Sequence, residues 1–395
     1  MKQAVILAGG VGSRLGSLTT STAKPLLLVD GKPFLEYLIE NLMRYGLDDI
    51  ILLVGYRGDS FFYLSEPGYF GKCRVRLFFD GDKLLGTGGA LRRARGLFEE
   101  YFLLLNGDTF FDINLLDLVS TANPRCIVNL ALRSVDNVAR YNPVTVQSGM
   151  IVHFSATGNQ GPGLINGGIY FLKREIVDFI PNGNCSLERD VIPKLVEINK
   201  VGGRSFNRPF LDIGIPEDFS RAEDFLKRTY FRPAVFFDRD GVLNRDTDYL
   251  FQIEKFQWID GAIEAIKYFN NNGFFVFVVT NQSGVARGLY TENDVQILHH
   301  YMNTELRKFG GHIDQFEYCP FHEDGVVGRY KGPSFRRKPQ PGMILDLISN
   351  WPIRKEDSFL IGDQESDIMA ALSANIKGYK FDNGNLFDFI KSHNL

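Results

Sequence analysis

The feature that most constrains this chain is a pattern that starts twice. From Gln3, short apolar runs suited to β-strands alternate with stretches of helical spacing. The runs are Gln3 to Leu7, Ile50 to Val54, Val75 to Phe79 and Tyr101 to Leu105, and Phe34, Leu38, Leu42 and Tyr45 carry the helical spacing. At Ala234 the run AVFFD opens a second series, with strands expected at Phe274 to Val279, Gln315 to Tyr318, Ser358 to Ile361 and Ile376 to Tyr379. Helices are expected there at about Ala262 to Asn270, Glu292 to Lys308, Pro341 to Ser349 and Glu365 to Ser373. Strands joined through helices pack as right-handed βαβ units, so each series implies a largely parallel sheet covered on both faces. A chain of 395 residues also exceeds what one core usually organises. The expectation is two tandem three-layer α/β domains, residues 1–228 and 234–395, joined by a linker at 229–233. Cys126 to Leu172, with its Gly, Asn and Pro breaks, reads as an antiparallel insertion or lid over the first sheet's carboxyl edge. A helix from about Pro216 to Arg228 closes the first domain.

Composition narrows the partners. A formal net charge of −3 and a pI near 6.1 supply no basic face for nucleic acid. The opening MKQAVILAGG is too short an apolar run for a signal peptide, and no stretch approaches 18 uninterrupted apolar residues. A cytoplasmic protein without a membrane partner is expected, its oligomeric state left open. Cys73, Cys126, Cys185 and Cys319 lie far apart with no CxxC pairing, which points to reduced thiols.

The first strand runs into AGGVGSRLGS. Gly9, Gly10 and Gly12 let the backbone turn its N–H groups towards a phosphate, although a plain structural turn is an alternative at this point. The spacing fits neither GxxxxGK[ST] nor GxGxxG. Arg14 and Lys24 then place two cations beside the loop, and NGDT places Asp108 at a strand's carboxyl end, where open α/β sheets bind ligands. Asp212 offers a second carboxylate, and two such groups suit Mg²⁺ shared with substrate phosphates.

GGxGxRL, the KP pair, LNGDT, INGGIY and DIGIPEDF, in this order over nearly all of residues 1–228, resemble the sugar-1-phosphate nucleotidyltransferases, a Rossmann-like mixed-sheet fold. GTGGAL, NGDTFFDI and NGGIY are most similar to the D-glycero-α-D-manno-heptose 1-phosphate guanylyltransferase branch. The resemblance implies attack by a sugar-phosphate oxygen on the α-phosphorus of GTP, with pyrophosphate leaving. It implies that Arg14 and the backbone from Gly10 to Ser13 hold the triphosphate, Lys24 neutralises the α-phosphoryl group, and Asp108 and Asp212 hold Mg²⁺. It also implies that Gly86, Thr87, Gly88 and Gly89 border the base, while Asn166, Gly167 and Glu188 contact the sugar. Glu188 at a helix start also reads as a partner for the helix dipole. Relatives often carry an acidic residue and a lysine before the NGGIY-type strand; here Ala156 and Thr157 stand there, leaving Arg133 or Arg204 as substitute cations or the transfer weakened.

In the second series AVFF delivers Asp238 and Asp240 two residues apart, a spacing that suits a nucleophile with a neighbouring acid/base, or a structural turn. Thr280, Asn281 and Ser283 follow the next strand as small donors, Lys338 adds a cation, and GDQESD brings Asp363 and Asp367. The set resembles the phosphatases of the haloacid dehalogenase superfamily, with its parallel sheet. DRDGVLN, VVTNQSGVARG and RRKPQPGM are similar to the histidinol-phosphate and heptose-bisphosphate phosphatases. That resemblance implies an aspartyl-phosphate on Asp238, Asp240 as acid then base, and Mg²⁺ on Asp238, Asp363 and the Asp240 carbonyl. Thr280 and Lys338 bind the phosphoryl group, and Arg287 and Arg337 reach the rest of the substrate. Relatives often bind zinc through a CxH…CxC loop; Cys319 and His322 remain here, but Ser334 and Arg336 replace the later thiolates, so no zinc is expected. Together the two halves imply a phosphorylated heptose and a nucleoside triphosphate as substrates. Rivals are a transferase and phosphatase of other specificities, or one half serving as a sensor or assembly module.

Overall fold

The computed structural model describes every residue except 82–83, 156–157 and 159, and the chain forms two compact units, Met1–Lys227 and Arg228–Leu395. In the first unit the strands in chain order are β1 (Gln3–Leu7), the short pair β2 (Leu28–Val29) and β3 (Lys32–Pro33), β4 (Asp49–Val54), β5 (Arg74–Phe79), β6 (Tyr101–Asn106) and β7 (Thr109–Phe111). They continue as β8 (Val128–Val135), β9 (Pro143–Gln147), β10 (Met150–Phe154), β11 (Gly163–Lys173), β12 (Val201–Ser205) and β13 (Phe210–Asp212). Helices α1 (Phe34–Arg44), α2 (Gly86–Arg93), α3 (Leu115–Ser120), α4 (Ile192–Glu197), α5 (Pro216–Phe219) and α6 (Ala222–Thr229) complete it.

Nine strands form one sheet in the order β5-β4-β1-β6-β11-β8-β12-β10-β9. The first four are mutually parallel, and β11 runs antiparallel to both β6 and β8. Strand β1 alternates its side chains: Val5 joins a core with Ile51, Leu53 and Leu104, while Ala4 and Ile6 are equally buried on the opposite face. Both faces of the sheet are therefore covered. Helix α1 stops where Gly46 takes a positive φ and its amide caps Met43, the usual glycine ending of a helix.

Two expectations change here. The segment from Cys126 to Leu172 does bring antiparallel strands, but it is not a lid: β8 and β11 sit inside the main sheet, and the β9–β10 hairpin lies at its edge. The physical reason is burial on both faces, since Val128 to Leu132 are all buried, and strands apolar on both sides need cover on both sides. The closing helix is also broken, into α5 and α6. Of the expected linker, Thr229 ends α6, and Arg232 is tied into the second unit through Arg232 N–H to Pro352 O (3.1 Å) and Arg354 N–H to Arg232 O (2.7 Å).

In the second unit β14 (Ala234–Phe237), β15 (Phe275–Asn281), β16 (Gln315–Cys319), β17 (Phe359–Gly362) and β18 (Lys377–Lys380) form a wholly parallel sheet of order β16-β15-β14-β17-β18. Val235 and Phe237 pack on one face with α7 (Ala262–Asn271), α8 (Glu292–Lys308) and α11 (Leu386–Ser392). Ala234 and Phe236 pack on the other with α9 (Gly342–Asn350) and α10 (Glu365–Ser373). The strand order reverses direction around β14, and such switch points open a crevice at the carboxyl ends of the strands. No helix among the described residues is long and apolar enough to cross a membrane.

Candidate active sites

In the first unit a two-stranded ribbon brings the distant carboxylates together. β13 pairs antiparallel with β7 so that Asp212 faces Thr109, and the Ile213 amide donates to the Asp108 carbonyl at 2.9 Å. Lys24, buried at 6% exposure, donates to Asp108 Oδ2 and sits 3.8 Å from Asp212 Oδ1. Burial, then the Asp108 charge, pushes the Asp212 carboxyl up to about 6, against the pull of Lys24 and Arg14. A half-buried pair of carboxylates with one shared lysine fits a dication. Arg14 reaches the same corner, its Nη2 lying 3.3 Å from where a Cβ on Gly214 would stand.

A cavity of about 390 Å³ opens beside this corner, lined by Gly9, Gly10, Gly86, Thr87, Asp108, Glu188 and Asp80 among others. Gly12 packs instead against Thr19 and Lys24, and Ser13 opens the 3-10 turn Ser13–Thr19. Only the first half of the Gly86–Gly89 stretch lines the cavity: the Gly88 amide donates to Cys185 O (2.9 Å), and a Cβ on Gly89 would stand 2.4 Å from Gly183 O. Glu188 is held by Thr87 (2.8 Å), Ser186 (3.0 Å) and the Tyr170 hydroxyl (3.2 Å). Asn166 Nδ2 donates to that hydroxyl at 2.6 Å, so a buried relay joins Asn166 to Glu188. Gly167 is a packing position, its missing Cβ leaving room for the Phe111 ring.

In the second unit β14 leads into Asp238, β15 carries Thr280, and β17 leads into Asp363. Lys338, 4% exposed, forms ion pairs with Asp238 Oδ1 (2.8 Å) and Asp367 Oδ1 (2.6 Å) and donates to the Val279 carbonyl (2.9 Å). Asp238, Asp363 and Asp367 bring ligand atoms within 4.8 Å of one another, and buried Asp363 Oδ1 has no hydrogen-bond partner among the described residues. Burial and the Asp367 charge push the Asp238 carboxyl up to about 7, although Lys338 opposes them. Asp240 goes the other way: burial alone would raise it, but the Arg239 guanidinium, with Asn244 and Gln282, holds it below the usual range.

A nucleotidyl transferase family model matches residues 3–229, more than half of the chain. The chain belongs to the nucleotidyl transferase family. A HAD-hydrolase-like model matches residues 335–385. The carboxy-terminal half is 45% identical over 160 residues to a D-glycero-beta-D-manno-heptose-1,7-bisphosphate 7-phosphatase of Rhodopseudomonas palustris, 40% of this chain and 89% of that protein. It is 43% identical over 143 residues to a D-glycero-alpha-D-manno-heptose-1,7-bisphosphate 7-phosphatase of Burkholderia mallei, 36% of this chain and 76% of that protein. Among solved structures, HddC from Yersinia pseudotuberculosis superposes with a TM-score of 0.52 at 31% identity, covering 57% of this chain and 99% of HddC. The same protein complexed with GMP-PN gives 0.51. The chain thus joins a nucleotidyltransferase to a HAD-type phosphatase.

Within the transferase half, the cations suggested as substitutes are committed elsewhere: Arg204 pairs with buried Asp117 (2.6 Å) and Arg133 donates to Asn207 (3.0 Å). Ala156 and Thr157 lie outside the described residues. Within the phosphatase half, Asn281 serves Lys338 rather than a phosphate, exchanging hydrogen bonds with its backbone at 3.0 and 3.1 Å. Thr280 Oγ1 accepts from Gln282 (3.0 Å), which leaves its own proton free to donate. Arg287 contacts His322 (3.3 Å) and Arg337 donates to Phe321 O (3.2 Å), both in the Cys319 loop, while no side-chain bond of Ser283 is seen among the described residues. Arg336 pairs with Glu317 and Asp346. Sequence reasoning missed Asp80 and the network of Arg239, Gln282 and His299. Fully buried Arg239 spans Asp240, Gln282 and His299, partners brought in from 43 and 60 residues away.

Proposed function

We propose that the chain removes the 7-phosphate of D-glycero-D-manno-heptose 1,7-bisphosphate and transfers GMP from GTP to the resulting heptose 1-phosphate, giving GDP-heptose and pyrophosphate. The observation that carries this reading is the pairing, in one chain, of a half like the heptose bisphosphate phosphatases with a half like a protein captured with a guanine nucleotide. One reaction's product is then the other's substrate.

In the phosphatase half an Asp238 oxygen attacks phosphorus and the bond to the sugar oxygen breaks, the leaving oxygen taking a proton from Asp240. Asp240 then removes a proton from the water that releases phosphate. Its low-lying carboxyl suits that second step, and the first requires its protonated form. Lys338 and the Thr280 hydroxyl hold the phosphoryl oxygens; Asn281 and Asp367 hold Lys338. Arg287 and Arg337, with Ser283 nearby, face the remainder of the sugar phosphate. In the transferase half Arg14 and the Gly9 to Ser13 backbone hold the triphosphate, Lys24 offsets charge at the α-phosphoryl group, and the Asn166 to Glu188 relay faces the sugar. Bound Mg²⁺ supplies charge neutralisation at both centres. Asp108 and Asp212 would hold it in one, and Asp238, the Asp240 carbonyl and Asp363 in the other, with Asp363's free oxygen supporting the fit. The reading includes no zinc, and it places the enzyme in the cytoplasm, where GTP is available.

The test supplies heptose 1,7-bisphosphate, Mg²⁺ and each nucleoside triphosphate in turn, and identifies products by mass. GDP-heptose is expected with GTP. Phosphate release without any nucleotide-sugar leaves only the phosphatase half of the reading standing.

A further inference from the structure

At the carboxyl edge of the first sheet, the chain turns after β5, β4, β1 and β6 place Asp80, Gly55, Gly9 and Asp108 side by side in strand order. Asp108 marks the phosphate end, beside Lys24, Arg14 and the glycine loop. Asp80 lies three strand intervals away, about 14 Å at the usual spacing, which matches the reach of a nucleotide from its phosphates to the far edge of its base. The cavity between them includes Leu7, Leu53, Leu84 and Ala90 in its wall, apolar surface that suits a flat ring.

Asp80 is 4% exposed, yet it lines this cavity, and among the described residues its Oδ1 has no hydrogen-bond partner. A buried carboxylate with one oxygen left over, at the end remote from Lys24 and Arg14, does not serve phosphates, which it would repel. A carboxylate offers acceptors only. Among the bases, guanine alone presents two adjacent donors, N1–H and the N2 amino group; adenine and cytosine pair a donor with an acceptor, and uracil flanks its one donor with carbonyls.

Resting on the guanylyl-transfer reading, we infer that Asp80 is the residue that selects guanine, its two oxygens accepting from N1–H and N2–H of the bound nucleotide. A site built to receive two donors rejects bases that lack them, because its own acceptor is then left buried and unsatisfied. Burial pushes the Asp80 carboxyl up, countered by the Leu85 amide and the Arg93 charge behind it, and a doubly donating base edge favours the ionised form further. The simpler role for Asp80 is holding the start of α2 through that amide.

The two roles separate in the ratio of kcat/KM for GTP and ITP, since inosine lacks only the N2 amino group. With saturating heptose 1-phosphate, the wild-type chain should prefer GTP over ITP by about 10- to 100-fold, the effect of one hydrogen bond to a charged acceptor. Asp80→Asn should reduce GTP use by on the order of 100-fold while reducing ITP use far less, so the preference collapses. Each ratio is taken within one preparation, so an incompletely folded fraction cancels. Equal losses for GTP and ITP would mean that Asp80 holds the helix or the ribose only, and would overturn the inference. A wild-type preference for another base sinks the guanylyl reading along with it, whereas a wild-type GTP preference that survives intact in Asp80→Asn sinks the inference alone.

Discussion

Asp238 and Asp240 stand two residues apart with opposite electrostatics, and the difference has a measurable consequence. Asp238 is pushed up to about 7 by burial and by Asp367, whereas an unfolded chain releases the same proton near pH ~4. Between those values the native protein holds a proton that the unfolded chain has lost, so this group's contribution to metal-free stability falls as pH rises from about 4 to 7. A cation bound at Asp238 takes the place of that proton. Added Mg²⁺ should therefore raise the melting temperature of the phosphatase unit more at pH 8 than at pH 6, and Asp238→Asn, which cannot titrate, should lose that difference. Thermal denaturation with and without Mg²⁺ checks this; a wild-type shift independent of pH would sink the assignment. At this scale the sequence was informative where a charge after a strand belonged to a longer motif, as at Asp108, Asp238 and Asp363. It was silent on Asp80, because DGD after an apolar run reads as an ordinary turn, and only the cavity distinguishes it. It was silent on Arg239 too, whose place between Asp238 and Asp240 gives no hint that it is fully buried.

Elements decide which of these side chains meet. Gln364 and Asp367 form a capping box at the start of α10, and Asp367's second oxygen pairs with Lys338, so the helix start that orders the backbone also anchors Lys338. The turn after β14 is equally specific. Gly241 has φ +84°, and a Cβ there would stand 2.6 Å from Asp363 Oδ2. Gly241→Ala should cost about 1–3 kcal/mol of stability and lower phosphate release by at least about tenfold, with nucleotidyl transfer unchanged. Assays of both activities and a melting curve test this; unchanged phosphate release would mean that the turn does not set the Asp363 position. Strand identities were legible from period and β-propensity, and α8 and α10 have the bounds their sequence spacing implies. The misread lid shows what period cannot supply: Gly, Asn and Pro breaks in residues 126–172 mark strand ends, but whether a strand lies inside a sheet depends on what covers its second face.

On the scale of the whole chain, each unit has a hydrophobic core of its own. The core of the first sheet draws on residues from Val5 to Val201, and the two faces of the second draw on residues from Ala234 to Ile390. Each catalytic cluster likewise takes its carboxylates and lysine from one unit alone: Lys24, Asp108 and Asp212 in the first, Asp238, Lys338, Asp363 and Asp367 in the second. Chemistry built this way should be separable by single substitutions. Asp238→Asn removes the nucleophile with little change in shape, so phosphate release should fall below detection while GMP transfer to supplied heptose 1-phosphate stays at the wild-type rate. Asp108→Asn should do the reverse. Mixing the two variants should then restore conversion of heptose 1,7-bisphosphate to GDP-heptose, after a lag in which the monophosphate accumulates in solution. Product masses followed over time decide the matter: loss of both activities in either single variant would mean that the two centres depend on each other, and a mixture that never forms GDP-heptose would mean that the intermediate cannot pass through solvent from one chain to another.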